Sequence, residues 1–213
     1  MFFLKKFGFY FLFLGVLIDF LTPYILGFFY PGINQLTAVI SVFGEVGSPV
    51  KVPFMILSIL SGIFFLLSLP ALYTTFAHSS KLLAGVLAIG IGFYGLGDCI
   101  FSGLFHLNIK QEVWTISTWI HNISSGLGYS GLLIFPFLLF LLYHKEGDKS
   151  SSRFYLWLLG LSFFFGCIYA LARIPTTIRE FPILNKVGLC QRMSYFFSYL
   201  PVACLSISRI RKT

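Results

Sequence analysis

With 213 residues, 57% of them hydrophobic and only 10% charged, at a mean hydropathy of +0.89, this chain is no water-soluble domain. Soluble domains carry roughly 25% charged residues. The net charge of +8 would fit a nucleic-acid binder, but the basic residues sit at the ends of apolar segments and form no run on a polar surface. The positive-inside rule accounts for them, and no nucleic-acid partner is expected.

The chain opens on MFFLKK, and residues 7–29 form an apolar segment long enough to cross a hydrocarbon core of about 30 Å. It lacks a small-residue cleavage site, so a retained first helix is expected rather than a removed signal peptide. Asp19 and Pro23 interrupt it. Residues 30–53, YPGINQLTAVISVFGEVGSPVKVP, are too polar to span and too apolar for a free linker, which predicts a re-entrant or interfacial segment. Further spans are expected at about 54–76, 82–105, 115–143, 154–174 and 188–208, with one clearly hydrophilic loop, HKEGDKSSSR, at 144–153. The expected fold class is therefore all-α: one transmembrane domain over 1–213, a bundle of six helices.

The Lys and Arg tally sets an orientation. With both termini cytoplasmic, the inner side holds Lys5, Lys6, Lys81, Lys145, Lys149, Arg153, Arg209, Arg211 and Lys212, and the outer side Lys51, Lys110, Arg179 and Lys186, nine against four. Four cysteines, Cys99, Cys167, Cys190 and Cys204, show no metal-like spacing and read as small apolar residues.

Against this apolar background, residues 95–131 stand out: GLGDCIFSGLFHLNIKQEVWTISTWIHNISSGLGYSG. Ionisable groups in a membrane span are costly and mark candidate sites. Asp98, Ser102 and His106 recur at i, i+4 and i+8, which predicts one helix face. Ser117 and His121 repeat the four-residue spacing at the start of the fourth span, followed by Asn122, Ser124 and Ser125. Asp19 lies midway down the first span, Glu45 in the outer loop, Arg173 at the end of the fifth span, and Gln191 and Arg192 at the start of the sixth. Most of these fall in the outer half of the membrane, so that five helices are expected to bring polar groups to one outward-facing cavity.

His121 can act as a general acid or base or as a metal ligand, because imidazole titrates near working pH. The plainer reading of Asp98 is an ion pair with Arg173 or Arg192 that ties helices together. Asp98, His106 and His121 would make a minimal zinc set with an open position, though no HxxxH or HExxH pair supports it. Ser102 or Ser124 with His121 and Asp98 would make a hydrolase triad. GIGFYG at 90–95 matches G-x-G-x-x-G literally, but inside a span it predicts close helix packing rather than a dinucleotide site.

Tyr30-Pro31, Ile40-Ser41 with Gly44-Glu45, Asp98, His121 and Gly188-Leu189-x-Gln191-Arg192 together resemble the bacterial integral-membrane family catalogued as domain of unknown function nine-nine-eight, over most of the chain. That resemblance implies a six-helix fold in a bacterial cell membrane and brings no established activity. In layout the family is similar to the eukaryotic Frag/DRAM/Sfk group, which includes proteins of GPI-anchor lipid remodelling. Ser102-xxx-His106 and Ser117-xxx-His121 are also similar to the Ser-xxx-His motif of ceramidase-like membrane hydrolases, whose later His-xxx-His pair this chain lacks.

The expectation is a lipid-modifying membrane enzyme, a hydrolase or an acyl or head-group transferase, acting on an outer-leaflet lipid. His121, Asp98 and Ser102 would be catalytic, and Glu45, Arg173, Gln191, Arg192 and Asn122 would bind substrate. No cofactor is required, zinc being the one candidate, and a homo-oligomer is compatible with the sequence. The alternative is a small transporter, a lipid- or ligand-binding sensor, or a partner subunit. For transport, six helices with no visible repeat are few for alternating access.

Overall fold

A computed structural model describes residues 2–108, 113–174 and 181–212. Lys110 and Arg179 of the charge tally lie outside the described residues. Among the described residues the protein is all-α, with six long helices and no strand. These are α1 (Phe2–Gly27), α2 (Lys51–Phe76), α3 (Lys81–Leu104), α4 (Ile116–Lys145), α5 (Lys149–Leu171) and α6 (Val187–Ile210). The first five are long and apolar enough to cross a membrane. The sixth has 24 residues, ample for a core of about 30 Å at 1.5 Å per residue, but interleaves Gln191, Arg192 and serines with its apolar positions.

Local chemistry sets the helix starts. Ser80 and Thr115 accept from the Leu83 and Thr118 amides at 3.4 and 3.2 Å, filling N–H groups that a helix start leaves open. Asp148 does the same for Ser151 at 3.0 Å, so α5 begins at Lys149 and the hydrophilic loop expected at 144–153 shrinks to a turn over residues 146–148. Gly147 makes that turn at φ +77°, where a side chain would strain the backbone.

Each helix packs on its neighbours in sequence, and α1 closes the ring against α6. The half of the bundle nearest the termini is filled by Leu12, Phe65, Leu72, Leu87, Ile91, Leu132, Phe135, Leu139 and Leu142. At that end Ser79 donates to Glu146, and Arg209 lies over the Phe76 ring while donating to Tyr143 Oη at 3.2 Å. α1 begins and α6 ends on that side. Serines bridge helices directly: Ser61 donates to Gly15 O at 2.9 Å and Ser162 to Phe197 O at 2.8 Å.

Small residues set the closest crossings. A Cβ on Gly97 would stand 2.4 Å from Ser124 O, one on Gly128 would stand 2.5 Å from Asp98 N, and one on Gly131 would meet Gly90 O at 2.3 Å. Gly95 likewise abuts Gly62. The glycines of GIGFYG thus serve helix packing. Between Tyr94 and Phe101 the α3 backbone widens into a π-helical stretch before a last α turn. Such bulges re-aim side chains and are frequent at functional sites.

Of the stretch 30–53, residues 51–53 already belong to α2, and residues 30–50 hold a single 3-10 turn, Ile40–Gly44, and form a cap over the helix ends rather than a re-entrant helix. Phe43 is fully buried among Leu26, Val50 and Phe54, which pins the cap to α1 and α2. The cap then crosses the start of α6. The Leu189 amide donates to Leu36 O at 2.9 Å, the Ile40 amide to Gln191 Oε1 at 2.6 Å, and Arg192 Nη1 to Ala38 O at 2.8 Å. Gly188 permits this approach, because a Cβ there would stand 2.3 Å from Ala38 O and 2.6 Å from Gln35 O. The motif stretches after the first span and at the start of the sixth are therefore two halves of one contact.

Candidate functional site

Two adjoining polar cavities occupy the half of the bundle away from the termini. The inner one, of about 50 Å³, is lined by residues that include Asp19, Tyr94, Asp98, Ser102, Tyr195 and Tyr199. The outer one, of about 310 Å³, is lined by residues that include Trp114, Asn122, Tyr169 and Arg173. Ser41, His121, Ser125 and Gln191 line both and form the junction.

The inner cavity is built around two carboxylates. Asp19 Oδ2 accepts from Tyr94 at 2.5 Å and Tyr199 at 2.8 Å, and those two hydroxyls lie 2.7 Å apart. Asp98 Oδ2 accepts from Tyr195 at 2.8 Å, and its Oδ1 accepts from Ser125. Tyr195 and Tyr199 are four apart on α6, so one helix face serves both acids. The π-helical stretch carries Tyr94 and Asp98 together into the same wall.

The ion pair considered for Asp98 is absent: among the described residues neither Asp19 nor Asp98 pairs with Lys or Arg. The hydroxyls of tyrosine and serine take the place of a counter-ion. Arg192 is only 6% exposed and lines neither polar cavity; its guanidinium Nη1 holds Ala38 O and, at 3.0 Å, Gly188 O. In this structure it straps the cap to α6, because a long side chain at the start of α6 reaches the cap carbonyls before it can reach Asp98.

His121 is 7% exposed. Its Nδ1 lies 2.9 Å from Phe105 O and 3.0 Å from Ser102 O. Carbonyls only accept, so Nδ1 carries the proton and the neutral ring presents Nε2 as an acceptor. The last turn of α3 thus orients this ring, and Asp98 does not. Both carbonyls are available because α3 ends there and leaves them without helical partners.

His106 lies beyond the last turn of α3, so the i, i+4, i+8 face stops at Ser102. The His106 carbonyl accepts from Ser117 at 3.0 Å. Burial, then repulsion from Lys51 and His121, pushes its imidazole below the ordinary value. Among the described residues no three His, Cys, Asp or Glu side chains are placed to share a metal ion, so Asp98, His106 and His121 do not form the zinc set their spacing allowed. Ser102 faces the inner cavity, but its hydroxyl donates back to Asp98 O in its own helix. Ser124 likewise donates to His121 O at 3.1 Å, so neither serine is hydrogen-bonded to the imidazole as a triad requires.

The remaining candidates divide between the cavities. Gln191, 8% exposed, lines both; its Oε1 holds the cap. Asn122 and Arg173 line the outer cavity. Glu45 is half-buried at the end of the 3-10 turn and lines neither cavity. Asp19, Ser125 and the three tyrosines complete the site. An aspartate in mid-span pointed to the first of these, whereas tyrosine is too common at membrane interfaces to have singled out the others.

A closed bundle of membrane-crossing helices with a polar cavity in one half defines a multi-pass integral membrane protein. The chain belongs to the family described as Protein of unknown function (DUF998), whose model matches residues 13–208. No curated protein and no solved structure matches it.

Proposed function

We propose that this protein is a membrane-embedded enzyme that modifies a lipid head group, a hydrolase or a head-group or acyl transferase, with His121 as its general base. One observation carries the reading: Nδ1 of His121 is clamped by two backbone carbonyls, so Nε2 is the free acceptor where the two cavities meet. A general base needs that combination of fixed tautomer and access to substrate. Nε2 would take the proton of water or an acceptor alcohol as its oxygen attacks the ester carbonyl or phosphorus. The imidazolium would then return that proton to the leaving oxygen.

Arg173 and Asn122 in the outer cavity would hold the anionic part of the head group, a guanidinium being suited to phosphate or carboxylate. Asp98 would act on the substrate from the inner wall rather than through His121. With the termini cytoplasmic, as the basic residues favour, the cavity would open to the outer leaflet. The packed half towards the termini supports an enzyme over a transporter, since the polar path stops at Tyr94 and Tyr199.

The test is lipid turnover by the purified chain in nanodiscs of mixed bilayer lipids, read by mass spectrometry. His121→Gln, which keeps a polar side chain of similar reach, is expected to lose turnover by about a hundredfold or more while keeping its melting temperature. Undiminished turnover in that variant would exclude His121 as the base.

A further inference from the structure

We propose that one water molecule, held between Arg192 and Asp19 where α1 meets α6, joins the two in a bridged ion pair that ties the cap to the inner cavity. The inference is independent of the catalytic reading above.

The first observation is the state of Arg192. Its side chain is 6% exposed, and the bonds to Ala38 O and Gly188 O use Nη1 alone. Nε and Nη2 are buried and meet no acceptor among the described residues. Buried donors are ordinarily hydrogen-bonded, and a guanidinium at this depth is costly unless matched. Both nitrogens therefore point to a bound group. Arg192 lines a small space of about 10 Å³ with Asp19, Pro23 and Tyr24 of α1 and Tyr195 and Tyr199 of α6.

The second observation comes from α1 and does not depend on the arginine. Pro23 lies inside that helix and has no N–H, so it cannot make the helical bond to Asp19 O four residues back. Ordered water is one of the groups that satisfy carbonyls freed in this way within a membrane. The Asp19 carboxylate lines the same space. The bonds it takes from Tyr94, Tyr199 and Cys99 all fall on Oδ2, and none of those donors brings a positive charge.

Size and charge then select the occupant. About 10 Å³ holds a single water, which needs about 10–15 Å³ on this measure, and is too small for a phosphate or a carboxylate. The aspartate disfavours an anion there and the guanidinium disfavours a cation. Water suits both, since it accepts from Arg192 while donating to Asp19. Arg192, Tyr195 and Tyr199 stand at i, i+3 and i+7 on one face of α6. That face holds the cap through Nη1, Asp98 through Tyr195 and Asp19 through Tyr199. The bridged pair makes Arg192 a positioning residue, with the cap on one side of its guanidinium and Asp19 on the other.

The experiment uses the full chain in nanodiscs with ¹⁵N-labelled arginine. A rotating-frame Overhauser cross-peak between Arg192 Nε–H and water is expected, with the sign of a bound water rather than of proton exchange. Arg192→Lys identifies the resonance, and assignment through the backbone of the native chain does so if that variant does not fold. Asp19→Asn keeps the side chain's shape and removes its charge. It is expected to lower the melting temperature by about 5–10 °C and to open the cap to limited proteolysis. No hydrogen bond joins Asp19 to the cap directly among the described residues, so a purely local role would leave the cap protected. Arg192→Gln is expected to do the same, and the double variant to lose no more than the worse single one. Tyr24→Phe, at a ring that lines the same space, is expected to keep the cap protected. A native chain without the bound-water cross-peak would overturn the bridge, even with the two residues coupled. Additive losses, a protected cap in Asp19→Asn, or an equal loss in Tyr24→Phe would each overturn the proposal.

Discussion

The imidazole of His106 sits beside Leu107 and Asn108, which line the outer cavity, and both burial and the nearby Lys51 disfavour its charged form. The sign of the consequence is fixed. Because its folded value lies below the ordinary one of roughly 6.5, the folded state binds this proton less readily than the unfolded chain does. Its neutral form costs nothing above that value, and stability falls as pH drops from there through the folded value. NMR titration of ring-labelled histidine should place the His106 midpoint below that of free imidazole, and Lys51→Ala should move it back up. A midpoint at or above the free value would show that neither burial nor Lys51 acts on it. At the same scale, His106 and His121 follow identical Ser-xxx-His spacings, yet only His121 lies within a helix that faces the cavities. Spacing names the residue type and period; whether the helix continues to the next turn is decided by the chain end that follows.

At the scale of elements, the contact between the cap and α6 governs the mouth of the inner cavity, since Ile40, Ser41 and Gln191 all line it. Gly188 is its tightest point, and the atoms a Cβ would meet are main-chain oxygens that cannot rotate away. Gly188→Ala is expected to destabilise the fold by about 1–3 kcal/mol, the usual cost of overpacking, lowering the melting temperature and making the cap accessible to limited proteolysis. A variant with native stability and protection would mean that the cap does not bear on α6. The helices themselves were legible as long apolar segments, because a span must satisfy its backbone internally and so writes its length into composition. The start of α5 was not, since a capping aspartate outweighs the hydrophilicity of the residues after it. The π-helical stretch of α3 also leaves no compositional mark, though it carries Asp98 and Tyr94.

Taken whole, the molecule is a closed ring of helices, densely packed in the half that holds the termini and hollow in the other. Access should therefore come from one side. In a chain whose own four cysteines have been replaced, Asn122→Cys in the outer cavity should react with a membrane-impermeant maleimide added to intact cells. Ser61→Cys, fully buried between α1 and α2, should not. Labelling of Asn122→Cys only in inverted membranes would reverse the orientation that the basic residues favour.

Composition and segment length alone determined that this chain lives in a membrane as a helical bundle, because hydrocarbon tolerates only segments that bury their polar backbone. The same cost argument picked out Asp98 and His121, since a polar group placed there must be matched. Which groups match them was decided by tertiary structure. Helix rotation and the crossing at Gly97 and Gly128 set Asp98 against Ser125 and Tyr195, and the end of α3 supplied the carbonyls that hold His121. Partner choice depends on angles between helices, and those are set by the packing of all six at once.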